Sequence, residues 1–175
     1  VLAELAPRLT ELGEMDHAFD MVAHLPTEQQ RAIALAGLAP YLSVHQIHTA
    51  MTIVQAFTHP QEQARTLVAL APYLTRKTHR EALELALALQ DMQSKIMIVL
   101  ALMPHIPEQN HAELINTLVD HIRAIENDQQ RSNLLADLAC RLAEQAYIQE
   151  ALTAIQMIEG TQQQAAAMVQ LAPTL

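Results

Sequence analysis

Nine histidines in a 175-residue chain are the first residues whose chemistry needs an account. His45 and His48 stand three apart, and His17, Asp20 and His24 have the spacing of one helical face. A closed zinc site takes three or four ligands in fixed geometry. The chain has no HExxH, no paired CxxC and no third ligand at a useful spacing. The histidines therefore read as solvated helix surface, and neither a metal nor a cofactor is expected. The single cysteine, Cys140, excludes an internal disulfide and is expected to be a small buried residue. Nucleophile and phosphate-binding signatures are missing too: no G-x-S-x-G, no Walker loop, no G-x-G-x-x-G, and three glycines in all. Asp20 and His24 have the i,i+4 spacing of a structural helix pair. A non-catalytic chain is expected.

What could position a binding site is a repeated element. RAIALAGLAPYL (31–42) returns as QARTLVALAPYL (63–74), KIMIVLALMPHI (95–106) and RSNLLADLACRL (131–142). A clipped copy opens the chain, and QAAAMVQLAPTL closes it. Its anchor falls at Pro7, Pro40, Pro72, Pro104, Cys140 and Pro173, in steps of 33, 32, 32, 36 and 33 residues. Ala and Leu dominate the apolar half of the composition, aromatic residues make up 3%, and there is no Trp. Those are helix formers, and a fixed period near 33 marks a stacked helical array. The fold class expected is all-α, a right-handed α-solenoid of about five and a half helix–turn–helix units of 32–36 residues. The units run 1–26, 27–60, 61–91, 92–126, 127–160 and 161–175.

Each unit has a motif helix and a more variable second helix. Counted from the anchor, Leu35, Leu67, Val99, Leu135 and Met168 stand at −5, and Leu38, Leu70, Leu102, Leu138 and Leu171 at −2. Leu42, Leu74, Ile106, Leu142 and Leu175 stand at +2. These spacings make one buried stripe. A small residue just before the anchor, as in Ala39, Ala71 and Ala139, lets helices approach closely. The proline either kinks its helix or ends it before a tight turn. Thr27 with Gln30, and Thr78, are expected N-caps. The 36-residue step adds one helical turn, placed in a long helix over 110–125. Arg31, Gln63, Lys95, Arg131 and Gln164, nine before the anchor, are expected to bridge neighbouring units.

The candidate partner-binding stripe lies at −7, −3 and +1, four apart and so on one face. It reads Ile33/Gly37/Tyr41, Arg65/Ala69/Tyr73, Met97/Ala101/His105 and Asn133/Asp137/Arg141, with Glu4/Arg8 in the first unit and Ala166/Gln170/Thr174 in the last. The residues singled out are Tyr41, Tyr73, His105, Arg8, Arg65 and Arg141. The aromatic ones would flank shallow spots at Gly37, Ala69 and Ala101. Ordinary solvated surface, with Glu4–Arg8 and Asp137–Arg141 as local ion pairs, is the competing reading.

Net charge is −9, with a sequence pI near 5.4. Ten basic residues against nineteen acidic ones offer no phosphate-neutralising surface, so no nucleic acid is expected. Nor is a membrane, since no apolar run reaches the ~20 residues of a spanning helix. No basic-then-apolar signal opens the chain, and a cytoplasmic location is expected.

LAPRLTELGEMDHAFDMVAHLP (5–26) resembles a tetratricopeptide unit. Ala6, Leu9, Gly13 and Ala18 stand at its small, large, turn-glycine and second-helix small positions, although its tryptophan is absent. Leu142, Ala146 and Ala151 repeat the spacing. QQRAIALAGLA also resembles the second helix of a HEAT repeat, with Arg31 at that family's arginine. Arrays with the LAPxL motif resemble the C-terminal solenoids of bacterial STAND-type signalling proteins. The resemblance implies a sensor or scaffold that binds a protein or peptide along the concave groove lined by the first helices. It also implies neighbouring domains in the same chain. The alternatives are a receptor for a small molecule or signalling peptide, and a non-catalytic region of a multidomain enzyme. Both ends fall inside motif helices, so a piece of a longer chain, or self-association through uncapped ends, is expected.

Overall fold

The computed structural model describes residues 14–158 and 161–171, and among them every regular element is helical. The α-helices are α1 (Met15–Ala23), α2 (Glu28–Leu38), α3 (Val44–Gln55), α4 (Pro60–Leu70) and α5 (Arg76–Ala88). They continue as α6 (Met92–Leu102), α7 (His111–Arg123), α8 (Asp128–Glu144), α9 (Ile148–Gln156) and α10 (Thr161–Leu171). Four short 3-10 turns occupy Ala39–Tyr41, Ala71–Tyr73, Met103–His105 and Glu108–Asn110.

Starts are set by capping. Thr27, Asp91 and Asn127 each accept the N–H of the residue three on, which satisfies one of the free donors of a first turn. Ser43 with Gln46 forms a reciprocal capping box, and so does Thr75 with Thr78. The cap of α5 is therefore Thr75, and Thr78 is its partner at N3 rather than the cap itself. Pro60 begins α4, where its missing N–H costs nothing.

The anchor proline ends its helix. In α2, α4 and α6 the α-helical hydrogen bonding stops two residues before Pro40, Pro72 or Pro104, and the chain tightens into a 3-10 turn. Proline has no N–H to give the carbonyl four residues back. Where Cys140 replaces it, α8 runs unbroken to Glu144. The substitution inside the repeat isolates the proline's effect.

The four-residue surplus is not in the helix expected to hold it. Both α5 and α7 have 13 residues. The extra length lies mainly between Pro104 and His111, where Pro107 breaks the chain and a second 3-10 turn follows. The chain divides into two compact units between His105 and Ile106.

Within the first unit, α4 packs against both α2 and α6, while α3 packs on α4 and α5, and α5 on α6. The motif helices thus form one layer and the intervening helices another. The second unit has α8 against α7, α9 and α10, with α9 also packing on α7 and α10. Leu35, Leu67, Val99 and Leu135 are buried, as are Leu38, Leu70, Leu102 and Leu138. Burial of each such side chain stabilises by roughly 1.5–3 kcal/mol. Buried Ala39, Ala71 and Ala139 beside them allow the close approach. Met168, at the same phase in α10, departs from the pattern and is 46% exposed, with no described helix packed beyond it. The +2 positions are mixed: Leu74 and Leu142 are buried, while Leu42 and Ile106 lie at intermediate depth.

The ladder nine before the anchor stitches α2, α4, α8 and α10 to the end of the helix before each. Arg31 donates to the Leu25 carbonyl (2.9 Å), Gln63 to that of Phe57 (2.8 Å) and Arg131 to that of Ile125 (3.0 Å), six residues back each time. Gln164 reaches the Ile155 carbonyl at 3.4 Å. These bonds satisfy carbonyls that a helix end leaves free. Lys95 is buried at the same phase, and burial pushes its pKa down.

Candidate functional site

In the first unit the stripe at −7, −3 and +1 lies on the solvent side of α2, α4 and α6. The reason is geometric: −5 and −2 point into the core, and a helix turns the intervening phase outward. Ile33 is 49% exposed, Tyr41 38%, Tyr73 39% and Met97 37%. Arg65 and His105 are exposed, and Gly37, Ala69 and Ala101 are partly so. Because α4 packs against both α2 and α6, these residues share one surface. The 3-10 turns carry Tyr41, Tyr73 and His105 at its edge.

Two of the candidates have local company. Arg65 lies 3.7 Å from Glu62, a loose i,i+3 pair. The His105 ring sits 5.1 Å from that of His79 on α5, inclined by 46°. The Nδ1–H of His79 donates to the Thr75 carbonyl at 3.0 Å, so its Nε2 is the unprotonated nitrogen. That Nε2 is buried without a hydrogen-bond partner. Burial, and to a lesser degree the neighbouring His105, holds the pKa of His79 below the ordinary histidine value. Nothing in the repeat joins His79 to the stripe, since it belongs to a second helix and to no repeated phase.

Arg141 belongs to the second unit, where its Nε donates to Asp137 Oδ2 at 2.9 Å. That is the local ion pair of the competing reading. Arg8 lies outside the described residues. Cys140 is partly exposed rather than buried; burial first, then Asp137 and Glu144, pushes its thiol pKa up, which disfavours the reactive thiolate.

One feature of the stripe escaped sequence reading. Eleven residues before each anchor stands a glutamine: Gln29, Gln61, Gln93, Gln129 and Gln162. The first four are exposed and lie one turn before the −7 residue on the same face. An identical exposed residue at a fixed phase was the signal available.

A carboxylate joins the starts of α2 and α4. Glu28 accepts from the Thr58 N–H (2.9 Å) and hydroxyl (2.9 Å), and from the His59 N–H (3.0 Å) and Nδ1 (2.7 Å). The Thr58 N–H first, then the His59 ring, lowers its pKa to about 2. Between the start of α4 and the N-cap of α6 there is instead a pocket of about 340 Å³, lined by His59, Pro60, Gln61, Glu62 and Asp91.

Among the described residues no three His, Cys, Asp or Glu side chains converge as metal ligands. The His24 Nδ1–H donates to the Asp20 backbone carbonyl at 2.9 Å rather than to its carboxylate. No described helix is long and apolar enough to cross a membrane. No protein-family model, curated protein or solved structure matches the chain.

Proposed function

We propose that the outward face of α2, α4 and α6 recognises a protein or peptide segment, with Tyr41 and Tyr73 as anchors. In this reading the chain is a non-catalytic recognition module, the interaction or sensor segment of a larger bacterial signalling protein. On this reading the two layers of the first unit belong to a right-handed solenoid whose concave side carries the recognition face.

The observation that supports it is where the exposed apolar area falls. Among the described residues eight large apolar side chains are exposed, and four of them, Ile33, Tyr41, Tyr73 and Met97, belong to this stripe. Single exposed apolar residues need no explanation, but a contiguous set marks an interaction surface. Tyrosine supplies wide apolar contact and a hydroxyl at little entropic cost, as interface anchors do.

Panning a random decapeptide library against the chain tests this. Selected peptides should lose about tenfold or more in affinity to Tyr41→Ala and to Tyr73→Ala, the effect of removing a hot spot. Melting temperature should stay the same, because both rings are partly in solvent. Equal binding by wild type and both variants overturns the reading.

A further inference from the structure

The residue twelve before the anchor differs at the starts of α2, α4 and α6, where it is Glu28, Pro60 and Met92. Glu28, twelve before Pro40, clamps the Thr58–His59 segment with four hydrogen bonds. Thirty-two residues on, the same phase holds Pro60, whose ring accepts nothing. The pocket lies there, and two of its five lining residues are acids. The Asp91 carboxylate is used, accepting the Ser94 N–H at 2.8 Å. Glu62 Oε2 is different: it is buried and has no hydrogen-bond donor, with Arg65 Nη1 at 3.7 Å, beyond hydrogen-bond reach. Arg65 meets its charge at ion-pair distance, and only its hydrogen-bonding capacity is unfilled. A donor brought by a partner would complete it.

Gln61 connects this pocket to the glutamine ladder. Gln129 in α8 donates to Asn133 Oδ1 at 2.9 Å, its neighbour one turn on. In α2, α4 and α6 that neighbour is Ile33, Arg65 or Met97, none with an acceptor for an amide. The three exposed amides Gln29, Gln61 and Gln93 each offer a donor and an acceptor, the pair that a peptide bond also presents. Packed helices lie about 8–10 Å apart, close to three residues of extended chain at about 3.3 Å each. The ladder therefore matches every third residue of an extended backbone laid across the three helices.

We propose that the partner is an extended peptide segment with a lysine or arginine near its centre. Its backbone runs across Gln29, Gln61 and Gln93, and its basic side chain enters the pocket and donates to Glu62. The acidic balance of the chain, −9, favours a basic segment over an acidic one. This deepens the recognition reading above and rests on it.

The probe is the decapeptide library itself, followed by synthetic versions of the strongest binder. Binders should share a central Lys or Arg, and its replacement by norleucine should weaken binding at least about tenfold. Glu62→Gln, nearly isosteric, should abolish that difference, and Gln61→Ala should weaken both peptides, whereas Gln129→Ala should weaken neither. The norleucine exchange reads the same contact without altering the protein, so a folding defect in Glu62→Gln cannot hide the answer. Equal affinity for the lysine and norleucine peptides overturns the basic-pocket assignment, and if Tyr41→Ala still weakens binding the recognition face stands. Failure to select any peptide, basic, neutral or acidic, overturns both.

Discussion

Ala146 follows α8 with φ of 65°, in the left-handed region. The turn is stabilised by the Tyr147 N–H bonding the Leu142 carbonyl at 2.8 Å, as helix ends closed by glycine do. The backbone cost of that φ for alanine is roughly 1–2 kcal/mol, partly offset by the greater chain entropy glycine loses on folding. Ala146→Gly should therefore stabilise the second unit by about 0.5–1 kcal/mol, read as a higher denaturation midpoint. A lower midpoint would show that the turn is not strained. Glu28 gives a second residue-level expectation. Its folded pKa lies near 2 and its ordinary value at 4.5, so the unfolded chain binds more protons between them. The clamp's contribution is full above pH 4.5 and is lost as pH falls through 2. The stability advantage of wild type over Glu28→Gln should shrink across that window, and a constant difference would contradict the clamp. At this scale the sequence was informative where phase decides exposure, as for Tyr41 and Tyr73. It was silent where tertiary contact decides, as for His79 beside His105.

The motif helix shows how one residue type sets an element's length. α2, α4 and α6 stop two residues before their proline and α8 does not stop at Cys140. Cys140→Pro removes the N–H that the carbonyl of Ala136 uses and brings a ring against it. It should end α8 near Leu138, with the amides of 141–144 losing hydrogen-exchange protection. Unchanged protection there would separate proline from the helix end. The period and the core phase were legible from the repeat alone, because −5 and −2 pack in α2, α4, α6 and α8 alike. Helix starts were less so. Thr75 and Thr78 are both good cap residues, and only the backbone of Thr75, extended with its side chain on the Thr78 N–H, decides between them. The misplaced surplus has a similar cause: a count of residues between anchors fixes how many are added, not whether Pro107 will let them be helical.

At the scale of the molecule, α2, α4 and α6 present the proposed recognition face while α3 and α5 pack behind it. In that proposal the repeat supplies a uniform scaffold and the variable stripe would supply the specificity. The glutamines at −11 are the exception on that face, exposed in α2, α4, α6 and α8 and identical in each. Chain-wide charge points to the sign of the partner, and the pocket beside Gln61 to where that charge would act. The direct measurement is the backbone amide shift map of the isotopically labelled protein on addition of the strongest selected decapeptide. The account predicts that the largest shifts fall within 29–41, 61–73 and 93–105, on three helices in register. Largest shifts on α3 and α5, or confined to α7–α10, would contradict it.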